Sequence, residues 1–572
     1  VTASLLSGAE LICKSLKRAG VDCVFGLPGS QTVPLYEALR TSTLRTVVAT
    51  NELSAAMMAN GYYRSSGRAG VLITIPGPGF TWAMTGLAEA ALDSAALLHI
   101  VGQPTSAPGR RFQLQAMDQA SIVRPIVKAV HRVDCAADAA SVLAAAHAES
   151  LAGEPGPVML HVARTVLKER AAVMMPTSAA EVMPAPEASV VDAVVRALAA
   201  AKRCVIFAGQ GCNGSSDLLV RLTETLSAAV VTTTSGRGVV AEDHPLSLGF
   251  EFGGNGAETL NALVDASDLV LAIGCKFSHN GSRGFRLRIS ADKLIHVDAS
   301  ADVLGANYPA HVAINADARA FLTAALAGLA ASPGHMQGFS VDELAQWRER
   351  ARAEGLHDVD EPRIHGVRSG KPAEFFAALR RVMPRISCLI TDSGLHQELA
   401  RRHFRVWHPR GLITPTNLQS MGFGIGAAIG ACLADPHRPV VALIGDGGLM
   451  MSGLELLTAV RERVRLTVIV FVDGAYGMIR SQQLEATGHA FATEFIEPDL
   501  GALAAAIGAS HVRLTDDADA VLRAALEAPG VTLVEVRLGD SLPMRWTQAK
   551  AVVRHAFGPR AKTWLRRVLR RG

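Results

Sequence analysis

The stretch from Val440 to Gly477, VVALIGDGGLMMSGLELLTAVRERVRLTVIVFVDGAYG, places two aspartates at the ends of two apolar runs. Asp446 follows VVALIG and Asp473 follows LTVIVFV. Each run is short, β-branched and bounded by glycine, which predicts a buried strand. In open parallel sheets ligands bind beyond the carboxyl ends of the strands, so neighbouring strands would bring both carboxylates to one edge. Glycines at 445, 447, 448, 474 and 477 allow backbone to approach a ligand closely. A helix expected to begin near Gly453 would turn its positive N-terminus to the same edge, where an anion is stabilised. Two carboxylates, a backbone carbonyl and that helix end suit a hard divalent cation holding a diphosphate, because magnesium takes some of its oxygen ligands from phosphates.

The elements that must position these groups follow one rhythm: a short β-branched run, a glycine turn, then an alanine-rich helical segment. CVFGLPGS, RTVVATNE, GVLITIPGPG and ALLHIVGQ are strand ends of this kind in the first part of the chain. The alternation predicts an α/β protein of three doubly wound parallel-sheet domains. Their expected extents are 1–172, 190–330 and 371–540, with a Pro- and Ala-rich linker at 174–189 and a charged, irregular stretch at 348–366. Residues 541–572 form a separate basic tail, with nine Lys or Arg and no Asp or Glu. A length of 572 residues with 49% hydrophobic content is ample for several cores. The net charge of +4 is too small at this length to argue for nucleic acid. No stretch approaches ~18 uninterrupted apolar residues, so no membrane span is expected, and the N-terminus lacks the order of a signal peptide. The eight cysteines are scattered without a CxxC pair and read as reduced, buried thiols of a cytoplasmic protein.

GDGGLMM…FVDGAYG resembles the signature of thiamine-diphosphate enzymes, in which Gly-Asp-Gly is followed by an Asn-Asn pair. Val472-Asp473 stand in that pair's place. The resemblance implies that Asp446, Asp473 and the carbonyl of Ala475 ligate Mg2+. It also implies cofactor contacts along Gly445, Asp446, Gly447 and Gly448 and along Asp473, Ala475, Tyr476, Gly477 and Met478. TNELSAAMMANGYYRSSGRAGVLITIPGPG is similar to the family's catalytic segment, with a glutamate ahead of an alanine-rich helix and GYxR. Glu52 is thereby implied as the acid beside N1′ of the aminopyrimidine, where an apolar setting is expected. LQSMGFGIGAAIG resembles the segment that bends the coenzyme, with Met421 as the wedge and the Gln419 carbonyl holding the 4′-amino group. TDSGLHQELA looks like the diphosphate-contacting turn, with Gly394 and Leu395 beside His396 and Gln397, which would reach phosphate oxygens.

The domain order is similar to the branch that contains acetolactate (acetohydroxyacid) synthase, pyruvate decarboxylase and oxalyl-CoA decarboxylase. GPGFTWAMTGLAEAALDSAALLHIVGQ, AMDQASIVRPIVK and TTTSGRGVVAEDHPLSLG lean toward the acetolactate synthase side, and Gln115 matches an active-site glutamine there. The His-His pair of pyruvate decarboxylase is missing. Asn51 replaces the histidine usual before the catalytic glutamate, and Arg480 and Gln482 stand where the substrate pocket is expected. The resemblance implies a carboligase or decarboxylase acting on a 2-oxo acid through a C2 ylide and an enamine, with a carbonyl acceptor. Alternatives are a plain 2-oxo acid decarboxylase and a lyase for a 2-hydroxyacyl-CoA or a diketone. FAD is expected to be absent or non-catalytic, since GCKFSHNGSRGFRL lacks the expected pattern. A homodimer at minimum, and a homotetramer by extension, is implied because cofactors in this architecture lie between subunits. A cofactor-binding relic and a nicotinamide dehydrogenase are rival classes; FAGQGCNG is a weak imitation of the dinucleotide fingerprint.

Overall fold

The computed structural model describes residues 5–104, 110–172, 186–249, 257–282, 284–331, 338–355 and 361–539. The linker and the basic tail fall wholly or largely outside these residues. Three sheets carry the α/β architecture. The first runs Arg45–Val48, Cys23–Gly26, Gly70–Thr74, Leu97–Gln103, Pro157–Ala163 and Ala129–Val133, all parallel. The central one runs Ser247–Gly249, Ala229–Thr232, Cys204–Ala208, Leu269–Ile273, Leu294–Asp298 and Val312–Asn315, again parallel. The central unit reaches past residue 330, because Phe339 and Leu344 on either side of the start of helix Val341–Gly355 bury against Leu248, Leu260 and Leu263. That helix also occupies the first eight residues, 348–355, of the stretch expected to be irregular.

The third sheet has the order Leu412–Ile413, Cys388–Thr391, Val440–Gly445, Leu466–Val472, Val531–Gly539, with Ser510–Arg513 also paired to the last. Arg363–Ile364 adds an antiparallel edge on Leu538 and Gly539, so this domain begins before residue 371. The strand order reverses between Cys388–Thr391 and Val440–Gly445. Such a reversal splays the connecting loops to opposite sides and opens a crevice at the carboxyl ends.

The first and third domains meet along two helices, Glu52–Ser66 and Phe423–Ala434. Both are rich in small residues, and the reason is steric. A Cβ at Gly61 would lie 2.1 Å from the Ala427 carbonyl oxygen, and one at Gly430 would lie 2.0 Å from that of Met58. Backbone touches backbone there, and fully buried Met57, Met58 and Ile425 fill the flanks. Each such side chain contributes about 1.5–3 kcal/mol by leaving water. Asn51 starts the first helix, its side-chain oxygen accepting from the Ser54 N–H at 2.8 Å. The residue in place of the expected histidine is therefore a helix cap. All eight cysteines are free and seven are buried; Cys135 is half-buried.

Candidate active site

Val440–Gly445 and Leu466–Val472 are paired in parallel, with Gly445 opposite Phe471. Asp446 and Asp473 therefore leave the same sheet edge side by side. The helix after Asp446 begins at Asp446 itself and runs to Ser452, followed by a 3-10 turn at Gly453–Glu455. The expected start near Gly453 is one short helix too late, because the glycine-rich GDGG continues straight into helical backbone. Asp446 is buried. One of its oxygens accepts from the Gly447 N–H at 2.9 Å, and the other from Asp473 N–H at 3.1 Å and Gly474 N–H at 2.8 Å. It thus ties the second strand end to the first. Burial raises the affinity of Asp446 for a proton, and these N–H donors oppose the rise. Burial, and then the charge of Asp446, push Asp473 up to about 6. Two crowded carboxylates of this kind form a site that a divalent cation would relieve.

The turn after Asp473 is clamped from outside. Phe495 N–H donates to the Gly474 carbonyl at 3.0 Å, and Tyr476 N–H to that of Thr493 at 2.8 Å. Ala475 bridges Glu494. Glu497 lies against Gly474 and pairs with Arg537. A side chain at Gly477 would strike Asp473 Oδ2 at 2.1 Å, so only glycine leaves that oxygen its place. Among the described residues no three or more His, Cys, Asp or Glu side chains converge to hold a metal. The two aspartates and the Ala475 turn lie together at this edge.

The other side of the crevice begins at the end of Cys388–Thr391. His396 is buried beside Gly394 and Gly445, and its Nε2 has no hydrogen-bond partner among the described residues. Burial pushes its imidazole down to about 4, so it is neutral. The ring turns Cε1 and Nδ1, not the unpartnered Nε2, toward these two glycine turns. Gln397 faces inward instead: its amide nitrogen donates to Thr414 Oγ1 at 2.6 Å and to the Pro415 carbonyl at 2.7 Å. It braces the 414–415 loop. Leu395 opens the same helix, Leu395–His403.

Gln419 has a φ of +63°, a left-handed conformation rare for a residue with a side chain. Its side chain holds it there, accepting from Ser393 Oγ at 3.3 Å and donating to the Thr416 carbonyl at 2.9 Å. The Met421 methyl lies near Gly447, which also meets the Tyr476 ring. Asp392, which the sequence reading passed over, organises these loops. It is fully buried and accepts from Ser393 N–H at 2.7 Å and Gly422 N–H at 3.0 Å, and burial pushes it up to about 6. The signal available was an aspartate closing the apolar run CLITD.

Glu52 opens the helix Glu52–Ser66 and is half-buried. Its Oε1 is 2.8 Å from where a Cβ on Gly79 would be, which places it against the turn that opens helix Pro78–Leu92. Gln115, at φ +59°, packs on Gly77 of that turn. Glu52 and Gln115 thus flank one glycine turn. Thr50, two residues before Glu52, is held by Glu455 from the third domain through its N–H at 3.1 Å and its hydroxyl at 2.5 Å. Among the described residues no hydrogen bond or ion pair joins Glu52 to the 446–478 cluster. Met478 is half-buried, Arg480 lies 3.5 Å from Glu494, and Gln482 is exposed. A separate cavity of about 230 Å3 opens at the carboxyl edge of the central sheet, lined in part by Gln210, Lys276, Asp298 and Asp317.

Three family descriptions match in this order: the N-terminal TPP binding domain of thiamine pyrophosphate enzymes over residues 6–122, the central domain over 191–325, and the C-terminal TPP binding domain over 392–536. The chain belongs to the thiamine pyrophosphate (thiamine diphosphate) enzyme family. Within it, the chain is 31% identical to a probable acetolactate synthase large subunit of Methanocaldococcus jannaschii, over 84% of this chain and 82% of that one. It is 30% identical to the acetolactate synthase large subunit of Lactococcus lactis, over 89% and 88%. It is also 30% identical to the acetolactate synthase isozyme 1 large subunit of Escherichia coli, over 94% and 95%. It is an acetolactate synthase-like, thiamine-diphosphate-dependent enzyme. No helix among the described residues is long and apolar enough to cross a membrane.

Proposed function

We propose that the enzyme is a carboligase that decarboxylates a 2-oxo acid and joins the remaining fragment to a carbonyl acceptor. The observation that carries this reading is the pairing of Asp446 and Asp473 at adjacent strand ends beside the switch point. The residues fit the coenzyme and its metal: the two carboxylates crowd one another, Gly477 leaves the Asp473 carboxylate its space, and His396 is buried with its Nε2 unpartnered among the described residues. Asp446, Asp473 and the Ala475 carbonyl would hold Mg2+, and His396 with the Gly394 and Gly445 turns would hold the diphosphate. Gln419 would offer its carbonyl to the 4′-amino group, with Met421 supporting the bent coenzyme. When bound, thiamine diphosphate supplies the electron sink that makes decarboxylation possible.

The chain's own part is to bind, orient and move protons. Glu52, packed against Gly79 and without a hydrogen-bond partner among the described residues, would share a proton with the pyrimidine ring. Gln115, on the same turn, would face the substrate. Arg480, near the mouth, would pair with a substrate carboxylate. The reaction is redox-neutral and gives a flavin no step.

The acid and the metal cluster are assigned to one site by placing a second copy of the chain against the first, as a homodimer that could pair further into a homotetramer. Support comes from apolar side chains left open next to both: Trp82 beside the Gly77–Gly79 turn, 61% exposed, and Met451 and Leu454 beyond Asp446, 54% and 65% exposed. Solvent-facing groups of this size, clustered at a site, mark interfaces.

The test is to supply apo protein with thiamine diphosphate, Mg2+ and pyruvate or other 2-oxo acids. Release of CO2 with acetolactate or acetoin is expected. CO2 with free aldehyde would reassign the enzyme to simple decarboxylation, and cofactor binding without turnover of any 2-oxo acid would favour the C–C lyase. Failure to bind the cofactor would overturn the reading.

A further inference from the structure

Helix Pro78–Leu92 begins at the turn that meets Glu52 and ends against the loop that carries Gln419. Its fourth turn bears Glu89, whose side chain is fully buried. One Glu89 oxygen accepts two hydrogen bonds from Ser420, from the backbone N–H at 3.1 Å and from the hydroxyl. The other oxygen has no hydrogen-bond partner among the described residues. One turn further on, buried Asp93 accepts from Thr416 N–H at 3.2 Å and Thr416 Oγ1 at 2.6 Å, and pairs with Arg64 at 2.9 Å. The first domain therefore grips the loop of the third at residue 416 and at residue 420. Gln419 lies between those grips in its left-handed conformation.

The Gln419 carbonyl and the Ser420 N–H belong to one peptide unit, planar and trans, so they point in opposite directions. Fixing the Ser420 N–H on Glu89 therefore fixes where the Gln419 carbonyl points. Among the described residues no hydrogen bond reaches that carbonyl. A left-handed residue with a side chain is strained by roughly 1–2 kcal/mol, and rotation of the 419–420 peptide would be the simplest release. The buried carboxylate stands against that rotation.

We propose that Glu89 is a positioning residue which, by holding the Ser420 N–H, aims the Gln419 carbonyl at the 4′-amino group of the coenzyme. This rests on the reading of Gln419 given above. Asp93 and Gln419's own side-chain bonds place the loop, and Glu89 sets the orientation of one peptide within it.

The test compares two ligands, thiamine diphosphate and the analogue in which oxygen replaces the 4′-amino group, by calorimetric titration with Mg2+ in Glu89→Ala and in the parent. Losing the acceptor of a buried N–H should weaken thiamine diphosphate binding by roughly ten- to a hundredfold. Affinity for the analogue, which has no amino group to lose, should stay within about twofold of the parent. Glu89→Gln keeps an acceptor oxygen and should restore near-parental affinity. If Glu89→Ala does not fold, Glu89→Met fills the space without an acceptor and serves the same comparison. Equal weakening for both ligands, or for neither, would overturn the positioning role while leaving the function intact. A parent protein that binds no thiamine diphosphate would overturn both.

Discussion

Asp473 stands where the family signature has asparagine, and its position explains how a charge is accommodated there. Its backbone N–H is held by Asp446, and one of its carboxylate oxygens accepts from its own turn at Ala475. The extra charge should strengthen cation binding, since ligand charge tunes affinity in oxygen-ligated sites. Asp473→Asn should weaken Mg2+ binding by roughly tenfold, read from Mg2+ titrations of cofactor binding; unchanged affinity would remove Asp473 from the metal. Glu52→Gln should abolish proton exchange at C2 of the bound coenzyme and leave its affinity nearly unchanged, as followed by NMR. These residues stand out in the sequence because each ends an apolar run or opens a helix. Asp392 closes the apolar run CLITD and carried the same signal; Glu89 did not, because its partner Ser420 lies in another segment, and a carboxyl group satisfied by a distant loop leaves no local pattern.

At the scale of elements, the contact between helices Glu52–Ser66 and Phe423–Ala434 sets how the first domain sits on the third. Gly430→Ala inserts a methyl against the Met58 carbonyl and should cost about 1–3 kcal/mol, seen as a lower denaturant midpoint. No loss would show that the helices separate freely. Asn51→Ala should cost about 1 kcal/mol through the lost cap. The strand–helix alternation was readable because parallel strands buried on both faces keep their apolar runs. The helix start at Asp446 and the strand Arg363–Ile364 were not. A glycine-rich GDGG has the composition of a turn, and a two-residue edge strand is too short to carry a period.

Across the whole molecule, buried histidines are expected to lower stability in acid. Burial, then the charge of His161, pushes His99 down to about 3, and burial, then Arg132, pushes His161 down to about 4. Both have folded values below the unfolded value of about 6.5, so they bind protons more readily in the unfolded chain. Their contribution is complete above pH ~6.5 and is lost as pH falls toward the folded values. His161→Leu should therefore lose less thermal stability between pH 7 and pH 5 than the parent; an equal loss would place the acid limit elsewhere. Leu454→Glu should leave monomers that bind the coenzyme poorly, as measured by sedimentation and titration, and dimers of parental affinity would contradict the intersubunit site. The central claim is that Glu52 and the aspartate pair serve one coenzyme, and the direct measurement is a crystal structure with thiamine diphosphate and Mg2+ bound. The metal is expected about 2.1 Å from oxygens of Asp446, Asp473 and Ala475, with Glu52 of the partner subunit hydrogen-bonded to the pyrimidine ring. A metal held elsewhere, or a pyrimidine ring with no glutamate beside it, would contradict it.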